Sequence, residues 1–163
     1  INFVQTYRTL TRIPKPEKNR IIVSALLDKI RILSSTTPGF HQTKFNIEVE
    51  PDNLELFADE KQITHVLINL VKNALEALDQ QPDAQISIKA GKTKNGRTII
   101  SIQDNGKGIP ENEFNQIFIP FYTTKSKGSG IGLSFSRQVM RMHGGALTAV
   151  SKVGEGSLFR LVF

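Results

Sequence analysis

The sequence predicts an α+β fold: a two-layer sandwich in which a mixed, mostly antiparallel sheet packs on helices. Three observations lead there. Segments of period two come in neighbouring pairs joined by turn residues. Segments of period 3.6 are long enough to cover one face of a sheet. The regular strand–helix alternation that a parallel nucleotide-binding sheet needs is absent. With 163 residues, 39% of them apolar, the chain can build one compact core.

The elements follow in order. Phe3, Val4, Tyr7, Leu10 and Ile13 stand at helical spacing until Pro14 and Pro16 break the pattern, which predicts the end of a longer helix and then a linker. Ile22, Val23, Leu26, Leu27, Ile30 and Leu33 predict a helix over 19–34, closed by the SSTTPG loop. Phe45, Ile47 and Val49 alternate with polar residues as a strand does, and Leu54 and Leu56 suggest a short second one. Asp59, with Gln62 three residues on, opens a helix over 59–80 whose apolar face runs from Ile63 to Leu78. Strands at Gln85–Ala90 and Thr98–Gln103 flank Asn95–Gly96, a hairpin turn signal. A short helix is expected near Glu111–Gln116 and another from about Gly130 to His143, stopped by Gly144–Gly145. Ala146–Lys152 and Ser157–Phe163 form a last hairpin around Gly154 and Gly156.

The chain has no Cys, which excludes disulfides and thiolate metal sites. No apolar run approaches the roughly 20 residues that span a bilayer, and no signal peptide is visible. The net charge of +6 is scattered rather than gathered in a stripe, so it reads as a solvated surface or contact with an anionic ligand; no nucleic-acid partner and no membrane contact are expected. The first residue is Ile, and the opening is already helical in pattern, which suggests a fragment excised from a longer protein.

Several motifs carry chemistry. Asn69, Asn73 and Glu76 share one stripe of the 59–80 helix. An Asn offers a carbonyl oxygen to a hard cation and an amide to a phosphate, and Mg²⁺ takes few protein ligands beside nucleotide phosphates; the same stripe also fits a plain exposed polar face. Asp104-Asn-Gly-Lys-Gly-Ile109 follows a strand, where a carboxylate can accept the amino group of adenine while Gly106 and Gly108 let backbone approach the base, or where the glycines merely make a turn. Gly128-Ser-Gly-Ile-Gly-Leu133 opens a helix, whose free amides and dipole favour phosphate. No Lys-Ser/Thr follows, so it is no P-loop, and Lys125 just upstream is the candidate cation; a flexible hinge is the competing reading. Ile117 to Lys125, with Phe118, Phe121 and Thr124, lacks a clean period and suggests a lid packed on the core. Gly154-Glu-Gly156 reads as a tight turn.

In this order the motifs resemble the GHKL, or Bergerat-fold, nucleotide-binding family, from about residue 45 to the end, and within it the asparagine, phenylalanine and three glycine boxes of sensor histidine kinases. The resemblance implies ATP and Mg²⁺ as ligands. Asn73 would coordinate Mg²⁺ and Asn69 support the phosphates. Asp104 would hold the adenine amino group, with Gly106 and Gly108 against the base and Ile109 among the nucleotide-binding residues. Phe118, Phe121 and Thr124 would belong to the ATP lid, and Lys125, Gly128, Ser129, Gly130, Ile131, Gly132 and Leu133 would line the phosphate end. NLVKNALEAL with FYTTK looks closest to nitrogen-regulation sensors of the NtrB and NtrY type. Many sensor kinases carry a basic or Tyr pair after the second Asn; Glu76 and Ala77 stand there instead.

FVQTYRTLTRIPKP resembles the end of the second helix of a dimerisation and histidine-phosphotransfer domain, so residues 1–18 are expected to be that helix end and its linker and 19–163 the catalytic ATP-binding domain. None of His41, His65 and His143 has the context of a phosphoacceptor, and the lone His65 reads as a surface or packing residue. The family's ATPases place a Glu four residues before the metal-binding Asn, as base for water. Here Asn69 stands there, and an amide cannot take a proton at pH 7. The resemblance therefore implies phosphoryl transfer to a histidine on a separate helical hairpin, with Asn69, Asn73 and Lys125 at the reacting end, a response regulator receiver domain as downstream partner, and a homodimeric parent in the cytoplasm, with or without an inner-membrane anchor. A GHKL ATPase, or a nucleotide-gated interaction module without kinase activity, is the alternative.

Overall fold

The structure is a computed structural model that describes residues 13–125 and 128–163; the helix expected over 1–13 lies almost wholly outside them. Its elements are β1 (Asn19–Ile22), α1 (Val23–Ser34), β2 (Lys44–Val49), β3 (Glu55–Ala58), α2 (Glu60–Ala77), β4 (Gln85–Lys92), β5 (Thr98–Asp104), the one-turn α3 (Glu111–Phe114), α4 (Gly132–Met142), β6 (Ala146–Lys152) and β7 (Gly156–Val162). A single 3-10 turn, Phe40–Gln42, precedes β2.

Five strands form one sheet in the order β2-β4-β5-β7-β6, and β1 pairs with β3 in a separate two-stranded ribbon. β2 runs parallel to β4, and the other pairings are antiparallel. The register lines up Ile47, Ile88, Ile102, Phe159 and Ala149 across all five strands. Because side chains alternate by face, that row and its neighbours two residues away make one apolar surface. Onto it pack Leu26, Leu27 and Ile30 of α1, Ile63, Val66, Leu67, Leu70 and Leu75 of α2, and Val139 and Met140 of α4, all buried in one core. The opposite face carries exposed Lys89, Gln103 and Thr148. This is the predicted two-layer sandwich.

The local chemistry explains the boundaries. Asp59 caps α2 by accepting the Gln62 N–H at 3.1 Å. The helix ends at Ala77, short of the expected Gln80, because the Ala77 carbonyl accepts the Lys107 N–H at 3.2 Å from the loop after β5. The far ends of α2 and α4 are clamped. The Asp59 N–H donates to His143 Nε2 at 3.1 Å, and His143 Nδ1 lies 2.8 Å from the Val139 carbonyl, so the buried ring is held as the Nδ1–H tautomer. The linker is tied to the same corner: Gln62 Nε2 donates to the Pro14 carbonyl, the Glu17 N–H to Asp59, and Lys18 Nζ to the His143 carbonyl.

One expected element differs. Residues 19–22 are strand, not the first turn of a helix. β3 is four residues long and its backbone needs a partner; β1 supplies it from Asn19↔Ala58 to Ile22↔Glu55. The Ile22 that seemed to extend the helical stripe is 43% exposed, and the helix begins at Val23.

Candidate active site

Two walls converge where α2 ends. The first is built on Asp104, the last residue of β5, 3% exposed. Its Oδ1 accepts the Gly106 N–H at 2.9 Å. Burial pushes this carboxyl above the usual Asp range, offset only in part by the amides of Gly106 and Ser157. The loop beyond it is fixed from three sides. Asn105 accepts the Gln85 N–H at 2.8 Å and donates to the Asp83 carbonyl at 3.0 Å, Lys107 holds the end of α2, and the Ile109 N–H donates to Ser151 Oγ at 2.8 Å. Gly108 has φ of 71°, and a Cβ there would lie 2.1 Å from the Lys152 carbonyl oxygen, so backbone passes backbone with no room for a side chain.

The second wall is the Asn stripe of α2 against the start of α4. Asn69 Nδ2 donates to Ser136 Oγ at 3.1 Å. Gly132 sits so close that a Cβ would lie 2.2 Å from Asn69 Oδ1. No side chain caps α4, so its first amides remain available to an anion. One turn further along α2, Asn73 Oδ1 accepts Lys125 Nζ at 2.9 Å, and Lys125 also pairs with Glu76. Lys72 stands 4.0 Å from the other oxygen of Glu76. Asn73 is one helical turn, about 6 Å, from Ala77, whose carbonyl touches the Asp104 loop. The two walls thus lie side by side at the C-terminal end of α2.

Beside them run the described residues 115–125 and 128–131. Phe118 is half-buried, with the Arg137 guanidinium 5.0 Å over its ring. Phe121 is exposed and its N–H donates to the Gly130 carbonyl at 2.9 Å. Thr124 and Ser129 are exposed, while Gly128, Ile131 and Leu133 are partly buried where the segment enters α4.

Every sequence-predicted site residue therefore lies on α2, at the end of β5 or the loop after it, on the segment leading into α4, or in the first turn of α4. Sequence reasoning missed Asn105, Ser136 and Ser151, which brace the walls from behind, and it missed the role of Glu76 as partner of Lys125. Ser136 sits four residues after Gly132 and thus on the same helix face, a signal that was there to be read. A separate open groove lined by Ile47, Val49, Lys89 and Ile99 lies at the β2 edge of the sheet and contains none of these residues. Among the described residues no three His, Asp or Glu side chains gather to cage a metal. A metal at this cleft would rest on few protein oxygens, as Mg²⁺ does. Asn73 Oδ1 fits that part, for it already faces a cationic group beside a carboxylate.

The comparisons agree with this architecture. The model of the family described as "Histidine kinase-, DNA gyrase B-, and HSP90-like ATPase" matches residues 58–163. Sporulation kinase C of Bacillus subtilis is 36% identical over 142 residues, 86% of this chain and 31% of its own length. The sensor histidine kinase ZraS of Salmonella typhimurium is 38% identical over 104 residues, 64% of this chain and 22% of its own. The chain thus spans less than a third of these relatives. Among solved structures, the nucleotide-free catalytic domain of histidine kinase ThkA superposes with a TM-score of 0.79 at 30% identity, covering 90% of this chain and 95% of that one. ThkA in complex with the response regulator protein TrrA gives 0.79 at 25% identity, over 98% of this chain and 45% of that one. The chain belongs to the histidine kinase-, DNA gyrase B- and HSP90-like ATPase family, as an ATP-binding catalytic domain of the histidine kinase kind.

Proposed function

We propose that this domain transfers the γ-phosphoryl group of Mg-ATP to a histidine on a separate helical hairpin of its parent protein, and that the phosphoryl group then passes to the receiver domain of a response regulator. What supports the reading is proximity: Asp104, buried and accepting the Gly106 N–H, ends the strand whose following loop touches Ala77, about one helical turn from an Asn73 oxygen that faces a cation. Asp104 would accept the adenine amino group. The α4 amides and Lys125 would take the phosphate oxygens, and Asn73 would hold Mg²⁺. Bound there, the metal neutralises phosphate charge; the chain's own residues position the nucleotide and exclude water.

Asn69 favours a kinase over a hydrolase. Its amide is committed to Ser136, and it has no basic atom to activate water. The histidines of this chain are also engaged elsewhere. His143 clamps α2 to α4, His65 stacks on Phe135 at 4.6 Å, and His41 meets the Phe40 ring edge-on at 5.6 Å. The acceptor is then a histidine outside them. Residues 1–18 as helix end and linker, a homodimeric parent, and a cytoplasmic setting with or without an inner-membrane anchor belong to the same proposal; no described helix is long and apolar enough to cross a membrane. NLVKNALEAL and FYTTK support a kinship with nitrogen-regulation sensors.

Calorimetry with ATP, with and without Mg²⁺, followed by transfer from radiolabelled ATP to an added histidine hairpin of the parent, tests the reading. Metal-enhanced ATP binding and labelling of the hairpin are expected. Rapid release of free phosphate without labelling would point to the ATPase alternative, and binding with neither would point to the gated module.

A further inference from the structure

The Lys125 ammonium cannot rest on Asn73 and meet nucleotide phosphates at the same time. It rests on Asn73 Oδ1, at 2.9 Å, and on the Glu76 carboxylate. That amide oxygen is the one a Mg²⁺ ion would take. Lys125 lies in the exposed segment leading to α4, 49 residues from Glu76, so the pair closes that segment onto α2 across the phosphate end of the cleft. The Lys125 N–H donates to Thr123 Oγ1 at 3.1 Å, a local turn at the exposed end of the segment. Both partner side chains keep about 40% of their surface, so the pair is accessible to exchange.

We propose that Lys125, Glu76 and Asn73 form a latch: in the nucleotide-free domain the Lys125 ammonium is a built-in cation on the Asn73 oxygen, held there by Glu76, and Mg-nucleotide binding proceeds by displacing it. Glu76 is a positioning residue that sets how firmly the competitor is held. Released from Asn73, the ammonium becomes free to meet the phosphates, so arrival of the metal and recruitment of the lysine are one event. The latch rests on the nucleotide reading for the identity of the displacing ligand.

A half-exposed ion pair of this kind holds its partners by about fivefold at most. Hydrogen exchange of residues 115–125, measured on the whole chain without nucleotide, should speed up by up to about fivefold in Glu76→Gln and in Lys125→Met. The double variant should be no faster than either, and the charge-swapped pair Glu76→Lys with Lys125→Glu should restore protection. Glu76→Gln should also bind Mg-ATP more tightly by a similar factor, a gain that vanishes in the Lys125→Met background. Thermal melts of each variant show that the fold is intact. Unchanged exchange in Glu76→Gln, additive effects in the double variant, or an affinity gain that persists without Lys125 (which would mean plain repulsion between Glu76 and phosphate) overturns the latch. If no variant binds ATP, the nucleotide reading fails; if ATP binds but exchange ignores Glu76, only the latch does.

Discussion

Replacing Asp104 with Asn tests the nucleotide wall at its most buried atom. The side chains are nearly isosteric, and the Asn oxygen can still accept the Gly106 N–H that Asp104 Oδ1 accepts at 2.9 Å. What changes is the rest of the carboxylate, which also accepts from the Ser157 amide: an acceptor becomes an NH₂ donor, to which an adenine amino group could not donate. Loss of a hydrogen bond to a charged acceptor is worth about 1.5–3 kcal/mol, or roughly 10- to 150-fold in Kd, and two facing donors place the effect at the upper end. Stability should move the other way. Asp104 is 3% exposed, and burial raises its carboxyl above the usual range. A carboxyl whose folded pKa is raised binds its proton more tightly in the folded state. Its contribution is therefore complete below the unfolded value, about 3.9, and is lost as pH rises through the folded one. At neutral pH the wild-type domain bears that loss, and Asp104→Asn does not. Calorimetry with ATP and a thermal melt at pH 7 read both effects. ATP binding within twofold of wild type, or a melting temperature lower by more than about 4 °C (~1 kcal/mol at this length), refutes the assignment.

Further outcomes follow from the other wall. Asn73→Ala should weaken Mg-ATP binding by about tenfold, one charge-assisted contact, while ATP with a chelator binds as before; calorimetry with and without Mg²⁺ separates the two. Gly132→Ala puts a methyl 2.2 Å from Asn69 Oδ1, so α4 or Asn69 must shift at a cost of about 1–3 kcal/mol, visible as a lower melting temperature together with weaker ATP binding. Asp59→Ala should remove about 1–2 kcal/mol by loss of the α2 cap. Burial pushes the Asp59 carboxyl up, but the amides of Gln62, Glu17 and Lys61 outweigh it and leave it below its usual value. Its contribution is thus present above about pH 3.9 and fades as pH falls through the folded value, so urea unfolding should show the variant and wild type converging in acid.

How far the sequence reaches depends on the range of each interaction. The Asn69–Asn73–Glu76 stripe was legible because helical period is a local property, and Asp59 as cap needs only three residues of context. The Asn95–Gly96 turn, with Gly96 at φ of 77°, is equally local. β1 was not legible. Ile22, Val23 and Leu26 keep helical spacing, and what overrides it is a hydrogen-bonding partner in β3, over 30 residues away. The parallel pairing of β2 with β4 has the same character, for alternation in Phe45–Val49 declares a strand without naming its neighbour. The clamp from Asp59 to His143 spans 84 residues and carries no pattern at all. Nor did Glu76 as partner of Lys125, since the two lie on elements of different kind with no common period.

These long-range contacts decide how the cleft divides into fixed and yielding parts. α2 and α4 meet near Asn69, through Ser136 and Gly132, and again at Asp59 through His143. The two contacts lie ten residues apart on α2, about 15 Å. Two such points fix how the amide end of α4 is presented to the Asn stripe, before any ligand arrives. The Asp104 loop is equally determined, by the α2 carbonyl, by Asn105 and by Ser151. The described residues 115–125 and 128–131 are joined differently: about half are exposed, the Phe121–Gly130 bond ties the segment to itself, and it meets the helices through the Phe118 ring under Arg137 and through Lys125. Local opening is easiest where buried contacts are few. The Asp104 loop and the α2–α4 contact are thus each held from more than one side, while Lys125 reaches Asn73 and Glu76 from an exposed position.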